Sequence, residues 1–235
     1  ICIPSSITEV EKRAVRDSAE QAGAKEVYLI HEPMAAALGI GIDVEEPVGN
    51  MIIDIGGGTT GITVIALAGI VCDQSIRIAG DEFTADIMEA LRRYHSLLIG
   101  ERTAEQIKIQ VGAAMKDLDN PPDDIPVNGR DLVTGIPKQV MVSYQEVAEA
   151  LDKSIFKIEE AILKALETTP PELASDIYRR GLYITGGGAL LRGLDKRLNA
   201  KIKLPVHVAD DPLKSVVRGT GIALKHYDRY PFVMR

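Results

Sequence analysis

The sequence has little cysteine, and it has no long run of apolar residues or of charges of one sign. Its two cysteines, Cys2 and Cys72, form no Cys-x-x-Cys pair, which excludes a disulfide framework and favours a reducing compartment. The four histidines are scattered and show no zinc-ligand spacing. No apolar stretch approaches the ~20 residues that span a bilayer, and we recognise no signal peptide.

The charge balance is acidic, with a formal net charge of -7 and no cluster of basic residues. This argues against a nucleic-acid partner, because a phosphate-binding face needs clustered lysine and arginine. Apolar residues make up 46% of the 235, enough for one large core or two small ones. We therefore expect a folded chain and not a disordered one.

The first four residues, Ile1-Cys2-Ile3-Pro4, form an apolar run without an initiator methionine. Such a run is typical of the end of a core strand. We therefore expect the sequence to be part of a longer protein, with its N-terminal portion missing.

Helical and strand patterns alternate along the chain, which predicts an α/β fold with mixed sheets. The β-rich segments between residues 51 and 78 predict an antiparallel meander of three strands. Capping-box pairs predict three helix starts. These pairs are Thr8 with Glu11, Thr103 with Gln106, and Ser143 with Glu146.

A first glycine triplet, 56–58, follows a buried strand that carries Asp54 and precedes Thr59 and Thr60. Consecutive glycines let a phosphate approach the backbone amides, and the two threonines add hydroxyl donors. Asp54 is placed where a carboxylate could hold the hydration shell of Mg²⁺. A glycine hairpin with a turn-capping aspartate is the alternative, and the residues alone leave both open.

A second triplet, 186–188, also follows a strand and precedes a helical pattern with Ala189 and Leu190. A strand, a glycine turn and a helix start in this order favour the binding of an anion or a flat ring against bare backbone. Close packing of the helix on the strand is the alternative explanation for the glycines. The triplet matches neither the dinucleotide pattern G-x-G-x-x-G nor a P-loop. The separation of the triplets by roughly 130 residues suggests that they lie in different parts of the fold.

Three charged residues are further candidates for a site. Glu32, which precedes Pro33, ends a strand and opens a helix, where a carboxylate could polarise a water or simply cap the helix. Glu105 and Lys108 lie three residues apart, and spacing alone favours a surface ion pair.

Taken together, these features resemble the superfamily of actin, sugar-kinase and heat-shock-chaperone ATPases, and most closely its MreB family of bacterial actin-like rod-shape proteins. The resemblance runs in order over almost the whole chain. The stretches that carry it are 32–37, 49–60, 77–81, 100–105, 169–173 and 185–195.

The resemblance implies an actin-like ATPase fold of the ribonuclease H-like type, with two lobes around a nucleotide cleft and an incomplete first lobe. Residues 1–47 would be the remnant of the first lobe, with 211–235 packing back on it. Residues 48–210 would form the second lobe, including a smaller subdomain near 82–142.

The resemblance also implies ATP and Mg²⁺ as ligands, with a role for each matching residue. Asp54 would serve the metal through water, and Glu32 would orient the attacking water. The residues expected to bind phosphate are Gly56, Gly57, Gly58, Thr59 and Thr60. Those expected to bind adenosine are Glu105, Lys108, Gly186, Gly187, Gly188, Ala189 and Leu190.

The implied function is that of a filament-forming cytoskeletal protein that maintains rod shape by organising cell-wall elongation, with slow ATP hydrolysis as a filament timer. Its partners would be further copies in double protofilaments, cell-wall elongation proteins, the membrane protein RodZ and the inner membrane surface. That membrane contact would come through the missing N-terminal part. The implied location is the bacterial cytoplasm, at the inner face of the membrane.

The chain departs from the family pattern at Gly61 and His31, where a glutamate is usual, and a first phosphate loop of the form Asp-x-Gly-Thr would lie before Ile1. We therefore expect this stretch alone to bind nucleotide weakly and to hydrolyse it poorly. Two alternatives remain open: a monomeric ATPase of the same fold, such as a chaperone or sugar kinase, and a polymerising scaffold without turnover.

Overall fold

The computed structural model describes residues 1–235, which form eight α-helices, ten β-strands and two 3₁₀ turns. The helices are α1 Glu9–Gln21, α2 Glu32–Gly39, α3 Gly80–His95, α4 Glu101–Val111, α5 Tyr144–Thr168, α6 Pro171–Arg180, α7 Leu194–Ile202 and α8 Ser215–Lys225. The strands are β1 Cys2–Ile3, β2 Ile30–His31, β3 Asn50–Ile55, β4 Thr60–Ala66, β5 Gly69–Ile76, β6 Leu97–Leu98, β7 Ile125–Asp131, β8 Pro137–Val142, β9 Leu182–Thr185 and β10 Val206–Val208. None of the helices combines the length and the apolar character needed to cross a bilayer.

The main sheet has five strands in the order β10-β9-β3-β4-β5. The strands β3, β4 and β5 form the antiparallel meander that the sequence predicts, whereas β9 runs parallel to β3 and β10 parallel to β9. The central strands β3 and β4 are buried over nearly their whole length because both faces of this sheet are covered. A hydrophobic cluster of 35 buried residues fills the space between this sheet and the helices α3, α4, α5 and α7.

A second sheet, β6-β7-β8, is antiparallel and lies within the segment between α3 and α5. The first two strands of the chain form a separate parallel pair, with Cys2 opposite Ile30. A second hydrophobic cluster, of 11 residues, joins α2 and α8 to the outer face of the main sheet through Ile52 and Ile65.

The crossing of α2 and α8 is unusually close. A Cβ atom on Gly39 would lie 1.8 Å from the carbonyl oxygen of Ser215, and one on Gly219 would lie 1.7 Å from that of Ala35. Only glycine fits at these two positions, so the last helix is held directly against α2. Since Glu32 is the first residue of α2, this crossing also fixes its position relative to β3.

Two of the three predicted helix starts are confirmed. Both Thr8 and Ser143 cap their helices in complete capping boxes, and Ser143 opens the longest helix, of 25 residues. The prediction for Thr103 was wrong, because α4 begins at Glu101 after Gly100. The amide of Thr103 already donates to the carbonyl oxygen of Gly100 at 3.0 Å, so Thr103 lies in the first turn.

Candidate functional site

The two glycine triplets lie side by side at one edge of the main sheet. They follow β3 and β9, which are adjacent and parallel, with Asp54 opposite Thr185. The expectation that they lie in different parts of the fold was therefore wrong. Because parallel strands end at the same edge, two loops distant in sequence converge there.

The second triplet is packed tightly on the end of β3. Gly186 has φ of +81°, and a Cβ there would lie 2.4 Å from both Asp54 Oδ1 and the carbonyl oxygen of Ile55. A Cβ on Gly188 would lie 2.2 Å from Cγ2 of Ile55. Close packing is thus one reason for glycine here, and it brings bare backbone beside the Asp54 carboxylate.

This packing predicts a sharp difference between neighbouring glycines. Gly186→Ala should lower the free energy of unfolding by about 2–4 kcal/mol, because it combines backbone strain with a clash against β3. Gly187→Ala is the matched control, since its Cβ would meet only the end of the Leu213 side chain at 3.3 Å. Chemical denaturation of both variants measures the difference, and equal stability would contradict this account of the packing.

The first triplet forms a loop that is fixed at both ends and open in the middle. The amide of Gly56 donates to the carbonyl oxygen of Thr59 at 3.0 Å, and Asp81 donates its amide to Gly57 O at 2.8 Å. The amides of residues 57–59 donate to no acceptor in the protein. Consecutive free amides on an anchored glycine loop are the arrangement that binds anions.

Asp54 is a half-buried carboxylate at this edge of the sheet. Its pKa is raised from 3.8 to about 6, chiefly by burial and in addition by the negative charge of Glu32. The two carboxylates therefore lie close enough to interact although they come from different elements, the end of β3 and the start of α2. A cation between or beside the two carboxylates would favour the ionised form of Asp54, because it offsets both the burial of the charge and its repulsion by Glu32.

A polar cavity of about 630 Å³ opens beside Asp54 and the first loop. Glu32, Asp54, Gly56, Gly57 and Thr59 line it, so it brings together five of the residues selected from the sequence. Its other lining residues, apart from Ile52, are polar, charged, proline or glycine. They are Pro4, Ser5, Ser6, Pro33, Gly61, Thr63, Asp73, Ser75 and Arg77.

A mixed cavity of about 590 Å³ lies on the other side of the same loop. It shares Asp54, Gly56 and Gly57 with the polar cavity, so the two are continuous along this edge. Its lining includes most of the residues expected at the adenosine site. These are Glu105, Lys108, Gly186, Gly187, Gly188 and Leu190.

Glu105 and Lys108 form more than a surface pair. Lys108 Nζ lies 2.6 Å from Glu105 Oε2 and donates to Gly80 O at 2.8 Å, with only 14% of its side chain exposed. Thr84 Oγ1 donates to Glu105 Oε2 at 2.9 Å. Partial burial acts to raise the pKa of Glu105, but the hydrogen bonds from Lys108 and Thr84 outweigh it and hold the pKa below its usual value.

Three of the selected residues line neither cavity. Thr60 is buried, and its hydroxyl donates to Ile78 O at 2.6 Å, which anchors the loop. Ala189 is 4% exposed and belongs to the core, while Gly58 lies at the exposed tip of the loop.

Several lining residues were missed by the sequence interpretation of the site. In the mixed cavity they are Gly80, Asp81, Phe83, Ile109, Leu191, Pro212, Leu213 and Val216. Pro212 shows how the last segment reaches the site, since its carbonyl oxygen accepts hydrogen bonds from the Gly186 amide and the Thr185 hydroxyl, both at 3.1 Å. The sequence offers here only the pair Asp211-Pro212, which is typical of a helix start and gives no hint of a cavity.

The donor set at Asp54 fits magnesium held chiefly by water and phosphate. The structure contains no group of three or more His, Cys, Asp or Glu side chains arranged to hold a metal. One carboxylate beside an anion-binding loop suits Mg²⁺, which keeps several waters and binds through substrate phosphates.

Solved structures resemble this fold closely. The crystal structure of MreB5 of Spiroplasma citri bound to ADP has a TM-score of 0.93 and 39% sequence identity, covering 97% of this chain and 69% of that one. The MamK double helical filament has a TM-score of 0.77 and 24% identity, covering 98% of this chain and 70% of that one. The fold around the cleft is therefore that of an actin-like ATPase.

The sequence comparison identifies the family. The family model described as MreB/Mbl protein matches residues 1–231. The cell shape-determining protein Mbl of Bacillus subtilis (strain 168) is 48% identical over 231 residues, covering 98% of this chain and 69% of that protein. The cell shape-determining protein MreB of Escherichia coli (strain K12) is 49% identical over 233 residues, covering 98% of this chain and 66% of that protein.

The chain belongs to the MreB/Mbl family. It spans about two thirds of the length of these relatives. Their similarity supports a cytoskeletal role for this chain.

Proposed function

We propose that this chain is the larger part of an ATP-binding, filament-forming protein that maintains rod cell shape by organising cell-wall elongation. The observation that carries the proposal is the pair of continuous cavities that meet at Asp54, Gly56 and Gly57. The similar MreB5 structures support nucleotide as the ligand, since one is bound to ADP and another to AMPPNP.

The geometry suggests how a nucleotide would lie. The adenosine would occupy the mixed cavity, against the bare backbone of 186–188, with the ion pair of Glu105 and Lys108 at its border. The phosphates would then cross the free amides of residues 57–59 and point into the polar cavity. Mg²⁺, when bound, would offset phosphate charge beside Asp54.

Hydrolysis would occur in the polar cavity, where Glu32 would orient a water for attack on the terminal phosphorus. The water oxygen forms the new bond, the bond from that phosphorus to the bridging oxygen breaks, and ADP leaves with the electron pair. The proton of the water passes to Glu32 or to solvent. Such a reaction depends on positioning and charge stabilisation, so a site that lacks some of the groups that position the water or stabilise the charge turns over slowly.

We also propose the division into lobes and the partners that the family resemblance implies. Residues 1–47, with 211–235, would belong to the first lobe, and 48–210 to the second, with its smaller subdomain near 82–142. The contact of α8 with α2 supports the return of the last segment. Partners would be further copies of the protein, cell-wall elongation proteins, RodZ and the inner face of the membrane.

Sedimentation and electron microscopy of the full-length gene product test the proposal. With Mg-ATP the wild type should pellet as paired filaments, whereas Asp54→Ala should stay in the supernatant because it lacks the carboxylate beside the phosphate loop. A wild type that stays monomeric under every nucleotide condition would favour the monomeric ATPase.

A polymerising scaffold without turnover is the second candidate, and Gly61 favours it. The family usually has glutamate here, and a Cβ on Gly61 would meet nothing within 4 Å. This part of the polar cavity therefore lacks a side chain that could help to hold water.

A further inference from the structure

The pairing of β3, β4 and β5 shows which residues lie side by side along the polar cavity. Asp54 on β3 lies opposite Gly61 on β4, and Gly61 lies opposite Ser75 on β5. These three positions form one row across the sheet, and all three residues line the cavity. The row begins with the half-buried carboxylate and ends near solvent.

Arg77 follows Ser75 by two residues, just past the end of β5, and lines the same cavity. The side chains of Cys72, Ile76 and Ile78 pack against the main core, so the intervening odd-numbered residues face the cavity. Because β5 runs antiparallel to β4 and Ile76 is opposite Thr60, the position after Ile76 lies beside Thr59. Arg77 therefore emerges next to the phosphate loop.

The backbone that follows Arg77 is hydrogen-bonded to that loop and to the start of β4. The hydroxyl of Thr60 donates to Ile78 O at 2.6 Å, and the amide of Gly80 donates to Gly56 O at 3.1 Å. A side chain anchored in this way has a fixed origin relative to the free amides of residues 57–59. The Arg77 side chain is long enough for its guanidinium to reach an anion bound at these amides.

Arg77 is the only cation in the lining of the polar cavity, which also contains three carboxylates. One of these, Asp73, accepts hydrogen bonds from Ser5 at 2.6 Å and from Thr63 at 2.7 Å. Arg77 itself makes no salt bridge and no side-chain hydrogen bond in the protein, although its side chain is exposed to the cavity. A planar guanidinium without a partner matches two phosphate oxygens at once.

We propose that Arg77 binds the terminal phosphoryl group of the nucleoside triphosphate and stabilises the charge on that group as it passes to water. This inference rests on the proposed function and adds to it a residue outside the glycine loops. Arginines that neutralise the transferred phosphoryl group raise its rate of transfer strongly in other phosphoryl-transfer enzymes. Here the bond to the bridging oxygen breaks while the guanidinium contacts the oxygens that stay with the phosphorus.

Arg77→Gln in the full-length protein tests the assignment, with Arg77→Lys as the conservative variant. Arg92→Gln is the matched control, because Arg92 is an exposed arginine on α3 that lines neither cavity. The readouts are the affinities for Mg-ADP and Mg-AMPPNP and the rate of phosphate release from ATP. The ADP affinity also reports whether each variant is folded.

Arg77→Gln should weaken AMPPNP binding about tenfold or more and leave ADP binding nearly unchanged. It should lower phosphate release by roughly 10²–10³-fold, the range typical of losing one donor to the charge of the transition state. Arg77→Lys should recover part of the loss, since it keeps the charge but not the bidentate geometry. Equal weakening of ADP and AMPPNP, or no change in either, would overturn the assignment while leaving the proposed function intact. A wild type that binds neither nucleotide would overturn both.

Discussion

Glu32→Gln in the full-length protein should lower the rate of ATP hydrolysis by roughly 10²–10⁴-fold, the range typical of a lost general base. Affinity for ADP should change little. Glu32 lines the polar cavity but not the mixed cavity, so it lies on the phosphate side of the proposed nucleotide position. Glutamine keeps the shape of the side chain, but it cannot take a proton from the attacking water.

The position of Glu32 explains why the effect should be confined to the chemical step. It is the first residue of α2, and His31 before it is extended, with no side-chain cap on the helix. The start of α2 therefore does not depend on a capping hydrogen bond from the His31 side chain. Instead, α2 is held by its close crossing with α8. The substitution should leave this crossing and the fold unchanged.

Phosphate release, ADP binding and filament lifetime measure the outcome together. Filaments of Glu32→Gln should form with Mg-ATP and persist, because the nucleotide is no longer consumed. Glu89→Gln, an exposed glutamate on α3, should behave as the wild type. If wild type and Glu32→Gln are equally inert while filaments still form, the scaffold without turnover is the better description.

Local patterns in the sequence were enough to predict local structure. The capping box at Ser143, the meander between residues 51 and 78 and the helix start at Glu32, before Pro33, all depend on neighbours within a few residues. Where a competing local signal existed, prediction failed. Gly100, in an extended conformation, starts α4 before the Thr103 box can do so.

Contacts between distant segments could not be predicted in the same way. The pairing of β9 with β3, which brings Gly186 against Asp54, depends on a crossover of more than a hundred residues. The surroundings of Lys108 were hidden for the same reason, since Gly80 O and Thr84 lie on another helix. Arg77 fell within a stretch that resembles the family, yet its role depends on a strand register that spacing does not give.

Asp54→Asn should make the nucleotide-free protein more stable at neutral pH and abolish Mg-dependent nucleotide binding. Burial, reinforced by the charge of Glu32, raises the pKa of Asp54 from 3.8 to about 6. At neutral pH the folded protein thus holds a carboxylate whose ionised form is disfavoured. Asparagine removes this charge, for a gain of roughly 2–3 kcal/mol at most, since one pKa unit corresponds to about 1.4 kcal/mol.

The sign of the pH dependence follows from proton binding. Between pH 3.8 and about 6 the folded state holds more protons on Asp54 than the unfolded state does. The contribution of Asp54 to stability is therefore fully present below pH 3.8 and is lost as the pH rises through about 6. The stability gain of Asp54→Asn over wild type should be smallest in acid and should grow across the same window.

Denaturant unfolding of wild type and Asp54→Asn across this pH range gives the stability difference, with Asp17→Asn on the exposed surface of α1 as control. Mg-nucleotide affinity of the wild type should rise through pH 6, because only the ionised carboxylate attracts the hydrated cation. In Glu32→Gln the midpoint of that rise should move to lower pH, since one of the two causes of the raised pKa is gone. A stability difference that is constant with pH would mean that the pKa of Asp54 is not raised in the folded protein. A midpoint unmoved by Glu32→Gln would mean that the two carboxylates are not coupled.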